Sequence, residues 1–297
     1  MDDVTRALAE RTLALCRVPS ETGDEAAIAD LVQERCVRAA GPAAVMLALL
    51  ERWRELEGAR PLWIFYDAEE GPAERNGLEP VLAGGFLPPV DFAFILEPTD
   101  RALQPGCMGL LHATVTVTGR RAHSARPWQG ENAVYRALPL LERLARLERR
   151  PVTIGELTYY EVVVVTQAAT ANSRNVVPDA LALNVNVRFA PGNTVERAEA
   201  ELRALVGADA TVEITDRAPA GDVHADHPII AEWRRAENLA VHPKQAWTDV
   251  ARFTAHGIPA VNFGPGETAQ AHQADEWCSV DSLRHCHDAL LRFFRVP

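Results

Sequence analysis

The stretch Leu62-Trp63-Ile64-Phe65-Tyr66-Asp67-Ala68-Glu69-Glu70 decides the reading of the fold. Its five unbroken apolar residues suit a strand buried on both faces, and such strands belong to parallel sheets covered by helices on both sides. Two further stretches, Phe92-Ala93-Phe94-Ile95-Leu96 and residues 258–263, have the same character. Helical spacing surrounds them. Val4, Leu8, Leu13 and Leu15 recur across residues 2–16, and Ile28, Leu31, Val32 and Cys36 follow a Thr22-Gly23-Asp24-Glu25 capping box. Val45, Met46, Leu49, Leu50, Trp53 and Leu56 mark a third helix, opened by Pro42. This part reads as an α/β fold, a mostly parallel sheet with helices on both faces.

The middle of the chain has another texture. Residues 112–118 alternate Val and Thr, the pattern of a half-exposed antiparallel strand. Residues 159–165, 182–189 and 210–215 also read as strands, and 132–147 and 195–205 as helices. Strand-helix-strand-strand-helix-strand is the order of a ferredoxin-like α+β unit. Residues 111–217 form this inserted domain, and 1–110 with 218–297 form the discontinuous domain around it.

The composition narrows the function classes. The 297 residues are 47% hydrophobic and 24% charged, which suits a globular chain with a real core. A net charge of −11 argues against a nucleic-acid partner, which needs a basic patch. No apolar run approaches the roughly 20 residues of a membrane span, and the acidic start MDDVTRALAE does not resemble a secretion signal. The expected compartment is the cytoplasm. The five cysteines are scattered without a CxxC pair, so neither a disulfide framework nor a thiolate zinc site is expected.

In open parallel sheets ligands bind beyond the carboxyl ends of the strands. Here the apolar runs end in Asp67-Ala68-Glu69-Glu70, in Glu97-Pro98, and in Gly264-Pro265-Gly266 with His272 shortly after. Carboxylates with an imidazole are a ligand set for zinc and related divalent ions, and an unligated carboxylate of the Glu69-Glu70 pair can act as a base toward water. Each feature alone has a plainer reading: paired glutamates decorate surfaces, and a single histidine is usually ordinary. GxSxG, HExxH and Walker A motifs are absent, and Ser124 beside His123 points to the opposite face of a strand.

Seven stretches, in order along nearly the whole chain, resemble the M20 metallopeptidase/deacylase family, and within it the succinyl-diaminopimelate desuccinylases. They are WIFYDAEE from Trp63, ILEPT from Ile95, GRRAHSAR from Gly119, NVVPD from Asn175, NVRFAP from Asn186, WTDVARF from Trp247, and GIPAVNFGPG from Gly257 followed by Ala271-His272. The resemblance implies a zinc-peptidase-like catalytic domain with a lid/dimerisation domain inserted. It implies Glu69 as general base and Glu70, Glu97 and His272 as metal ligands. His123 would reach the partner's active site in a homodimer and steady the oxyanion. Asn175, Arg188 and Thr248 would bind substrate, the Arg188 fork suiting a carboxylate. The implied reaction is metal-dependent hydrolysis of N-succinyl-L,L-diaminopimelate to succinate and L,L-diaminopimelate, in lysine and cell-wall precursor synthesis. The implied cofactor is Zn2+ or Co2+, two per subunit in the family.

One family segment is missing. Members carry a His-x-Asp and, later, an Asp that bridges the metals, ahead of the helix that matches the one opened by Pro42. Here Glu34-Arg35-Cys36-Val37-Arg38 passes almost directly to Gly41-Pro42, and no histidine precedes His112. The first metal keeps Glu97 alone and the second keeps Glu70 and His272, fewer than the three protein ligands of a usual catalytic zinc. Fewer than two metals are therefore expected. The alternatives are an inactive or metal-poor relative, either a pseudo-enzyme or a binding protein, or another N-acyl-amino-acid deacylase such as an acetylornithine deacetylase-like enzyme.

Overall fold

The computed structural model describes residues 2–15, 41–52, 54, 56, 60–68, 75–85, 87–270, 273, 275 and 277–295. The expected helix after Thr22 lies outside them. The strands, in chain order, are β1 (Ala93–Ile95), β2 (Gln104–Pro105), β3 (Gly109–Thr118), β4 (Ala122–His123), β5 (Arg150–Ile154), β6 (Leu157–Ala169), β7 (Val176–Val177), β8 (Ala180–Phe189), β9 (Thr211–Ala218) and β10 (Ala260–Asn262). The chain divides into two compact units. One comprises Met1–Gly106, Asp222–Lys244 and Thr248–Pro297, the other Cys107–Gly221 and Gln245–Trp247.

In the first unit β10 pairs with β1 in parallel and with β2 antiparallel. The expectation of a mostly parallel sheet is thus not met among the described residues. Only eight residues separate β1 from β2, too few for the crossover that a parallel return requires, so the chain reverses. Residues 62–66 form no strand either. Leu62 is exposed, while Trp63 packs against the core, its ring edge-on to Phe294 at 6.3 Å. Around them Phe94, Trp233, Phe263, Phe293 and Phe294 make an aromatic core, with Trp233 to Phe263 at 4.6 Å in a T-shaped contact. The amphipathic Val280–Arg295 helix supplies much of its wall. The expected first helix is present as Asp3–Leu15, and the third ends at Leu50, short of Trp53 and Leu56.

The second unit is a five-stranded antiparallel sheet in the order β5-β6-β8-β3-β9. Without the edge strand β5, the order of the remaining four is that of a ferredoxin-like unit. Strict alternation along β3 buries Leu111, Ala113, Val115 and Val117 on one face. They pack with Leu183, Val185 and Val187 of β8 beneath Ala133, Leu140, Ala198 and Leu202 of the covering helices. The helix expected over 132–147 is split into Ala133–Arg136 and Leu138–Ala145. Pro139 has no N–H to give Tyr135, so the ladder breaks there. Segment 245–247 joins this unit through paired hydrogen bonds: Tyr160 N donates to Gln245 Oε1 at 2.9 Å, and Gln245 Nε2 to Tyr160 O at 3.0 Å. No helix among the described residues is long and apolar enough to cross a membrane.

Candidate active site

In the first unit the chain leaves β1 through Leu96-Glu97-Pro98-Thr99 and turns back sharply. Asp100 and Arg101 both take left-handed conformations, with φ of 55° and 64°. For residues with a Cβ this costs energy, and it persists only where neighbours enforce it. Here Asp100 N donates to Gly266 O at 3.1 Å, and Asp100 Oδ1 accepts from Thr268 N at 3.1 Å. The turn is thereby tied to the segment that follows β10. A cleft of about 230 Å³ opens there, lined by Asp100, Arg101, Gly266, Glu267, Ser279 and Ser282.

The backbone just after β10 lies against the backbone just after β1. A Cβ on Gly264 would stand 2.5 Å from the carbonyl oxygens of Leu96 and Glu97. Thr99 Oγ1 both donates to Gly264 O and accepts from Gly264 N. Gly264→Ala is therefore expected to destabilise the chain by about 2–3 kcal/mol, because backbone cannot give way as a side chain can. Urea denaturation checks this.

Glu97, expected as a metal ligand, is half-buried, and the Lys244 ammonium lies 3.5 Å from its Oε2. Lys244 is almost fully buried and also donates to Pro98 O at 3.1 Å. It is the only lysine beside 29 arginines. That imbalance was the available sequence signal, since a compact ammonium fits where a planar guanidinium does not. Lys244→Met is expected to cost about 2 kcal/mol in urea denaturation, less than a fully buried pair because Glu97 is partly exposed.

Glu69, Glu70 and His272 lie outside the described residues. Gly77 N donates to Asp67 O at 3.0 Å. Just before Asp67, the Tyr66 hydroxyl donates to Asp249 Oδ2. Asp249 is 1% exposed, and Arg252 Nε stands 2.8 Å from its Oδ1. Burial pushes the Asp249 carboxyl above the ordinary range, against the lowering influence of Tyr66 and Arg252. Arg252 continues to Glu79 at 3.1 Å, and His256 Nε2 reaches the other oxygen of Glu79 at 2.9 Å. The His256 hydrogen bond holds the Glu79 carboxyl below its usual range. Thr248, expected to bind substrate, is buried next to Asp249, and its carbonyl accepts from Ala251 N at 3.0 Å.

In the second unit the structure brings together His123 of β4 and Asn175, which lies in the turn just before β7. His123 pairs with Val176 across β4 and β7, and Ser124 N donates to Asn175 O at 2.8 Å. Both side chains are exposed, and His123 Nδ1 accepts from Ala125 N at 3.1 Å. Arg188 is half-buried on the helix-free face of the sheet. Among the described residues no carboxylate pairs with it. Burial lowers its pKa, the mark of a cation held away from water.

Two carboxylates and an imidazole are a donor set suited to zinc or cobalt. Of the expected three, only Glu97 is described. No group of three or more His, Cys, Asp or Glu among the described residues is arranged to hold a metal.

Residues 106–212 match the model of the peptidase dimerisation domain of the M20 family. The chain is 38% identical over 234 residues to a protein of Mycobacterium tuberculosis (strain CDC 1551 / Oshkosh) provisionally named succinyl-diaminopimelate desuccinylase, covering 77% of this chain and 66% of that one. It is 34% identical over 235 residues to the succinyl-diaminopimelate desuccinylase of Corynebacterium glutamicum, covering 74% and 61%. It thus spans about two thirds of the length of these relatives. A tripeptidase from Staphylococcus aureus shares the fold, with a TM-score of 0.76, 98% of both chains covered and 16% identity.

Proposed function

Since the chain belongs to the M20 family of peptidases and deacylases, we propose that it hydrolyses the amide of N-succinyl-L,L-diaminopimelate to succinate and L,L-diaminopimelate. The observation that most supports an acyl group ending in a carboxylate is Arg188. A half-buried guanidinium without a carboxylate partner among the described residues calls for an anion, and its paired donors match two oxygens.

In this reading Arg188 binds the terminal carboxylate of the succinyl group, and Asn175 and Thr248 orient the rest of the substrate. Glu69 takes a proton from water as its oxygen attacks the amide carbon, and passes that proton to the leaving nitrogen as the C–N bond breaks. His123 of the partner subunit, in a homodimer built through the inserted domain, donates to the oxyanion. Glu97 would hold one metal and Glu70 with His272 the other; when bound, metal would polarise the carbonyl and acidify the attacking water. Lys244 and the Gly264 contact fix the backbone and carboxylate of Glu97.

Assaying N-succinyl-L,L-diaminopimelate beside N-acetylornithine tests the substrate class. The succinyl amide is expected to be cleaved at least tenfold faster at equal concentration. Preference for the acetyl amide would overturn the assignment, because an acetyl group offers Arg188 no carboxylate.

A further inference from the structure

The helix-free face of the second sheet carries, beside Arg188, a line of polar side chains with no place in the mechanism above. Strand parity puts Asn184, Asn186 and Arg188 of β8 on this face, and the register sets His112 of β3 directly opposite Asn186. Arg188 Nε donates to Asn186 Oδ1 at 3.2 Å. Asn186 Nδ2 lies 2.9 Å from His112 Nε2. Asn186 is 7% exposed, so its amide has little access to water. Further along, Asn184 Nδ2 lies 3.5 Å from His112 Nδ1 and donates to Thr166 Oγ1.

The amide of Asn186 has two ends and two orientations. Its NH2 can only donate, so His112 Nε2 must accept. That engagement turns the Asn186 carbonyl toward Arg188, where it receives the Nε proton. If His112 did not accept, the amide could turn over and set its NH2 against the guanidinium. We infer that His112 and Asn186 are positioning residues that hold the Arg188 guanidinium in one orientation, with its terminal donors free for a carboxylate. This rests on the reading of Arg188 as the carboxylate clamp. It adds how the clamp is aimed. An unaimed guanidinium loses the paired geometry on which its selectivity depends, and must be ordered by each ligand that binds.

The test uses the full chain labelled with 15N-arginine. The Arg188 Nε–H signal is identified by its disappearance in Arg188→Lys. Two quantities are read: its exchange with solvent in the absence of ligand, and the Kd of succinate by calorimetry. His112→Phe and Asn186→Leu are expected to speed the exchange at least tenfold and to weaken succinate about tenfold, the worth of one hydrogen bond to a charged group. His112→Gln restores an acceptor opposite Asn186 and is expected to stay within twofold of the unchanged chain in both. A merely structural histidine would not be rescued in this way. Exchange and Kd both unchanged in His112→Phe would overturn the inference. Should Asn186→Leu fail to fold, the two His112 variants carry the test. If succinate does not bind the unchanged chain at all, the clamp reading falls, while the exchange rates still decide whether Arg188 is held.

Discussion

Glu69→Gln is expected to lower turnover of N-succinyl-L,L-diaminopimelate by about 10³-fold and to leave KM within about twofold. A glutamine keeps the shape and the hydrogen-bonding reach of the glutamate but takes up no proton. General-base assistance is worth roughly 10²–10⁴-fold, and its loss falls on the chemical step. Steady-state kinetics with succinate as the measured product checks both quantities. A large rise in KM at unchanged turnover would place Glu69 in binding and not in proton transfer.

Arg188→Met is expected to act in the opposite way, raising KM by about 10²-fold with a smaller effect on turnover. Two charge-assisted hydrogen bonds to one carboxylate are lost together, and each is worth about 1.5 kcal/mol or more. Arg188→Lys should recover only part of this, because a point charge does not meet two oxygens at once. A further readout comes from the substrate. A derivative with the succinyl carboxylate amidated should bind the unchanged chain and Arg188→Met equally poorly. If instead only the unchanged chain is impaired by amidation of the distal amino-acid end, Arg188 recognises that end and the acyl assignment fails.

The second unit was the more legible in the sequence, for a physical reason. A sheet with one face covered must alternate apolar and polar residues, and His112–Thr118 does so. The break at Pro139 escaped the periodicity over 132–147, which suggested one helix. The first unit gave its apolar residues but not their pairing. Residues 62–66 have the composition of a buried strand, yet a strand also needs a neighbour, which composition does not supply. The antiparallel β2 is two residues long and ends in proline, so no pattern announces it. Segment 245–247 joins the other unit through the Gln245 side chain, a long-range contact invisible to local reading.

The site divides in the same manner. Glu97 and Arg188 are legible through the motifs around them, and the structure places both half-buried, Glu97 beside Lys244. Lys244 was passed over because a lysine is ordinarily a surface residue, although its being the only one was plain. Asp249 was within a recognised motif but without a role until the Tyr66 and Arg252 contacts gave it one. His112 and Asn186 looked like ordinary strand residues. Their meaning comes from register, and register between distant strands is set by the folded sheet.

Succinate release from N-succinyl-L,L-diaminopimelate, measured on the full chain after dialysis against a chelator and again after zinc is returned, addresses the whole account at once. Release should be absent after dialysis, return with zinc, and with zinc stay about 10³-fold lower in Glu69→Gln. Release by the zinc-treated chain no greater than that of Glu69→Gln would contradict it.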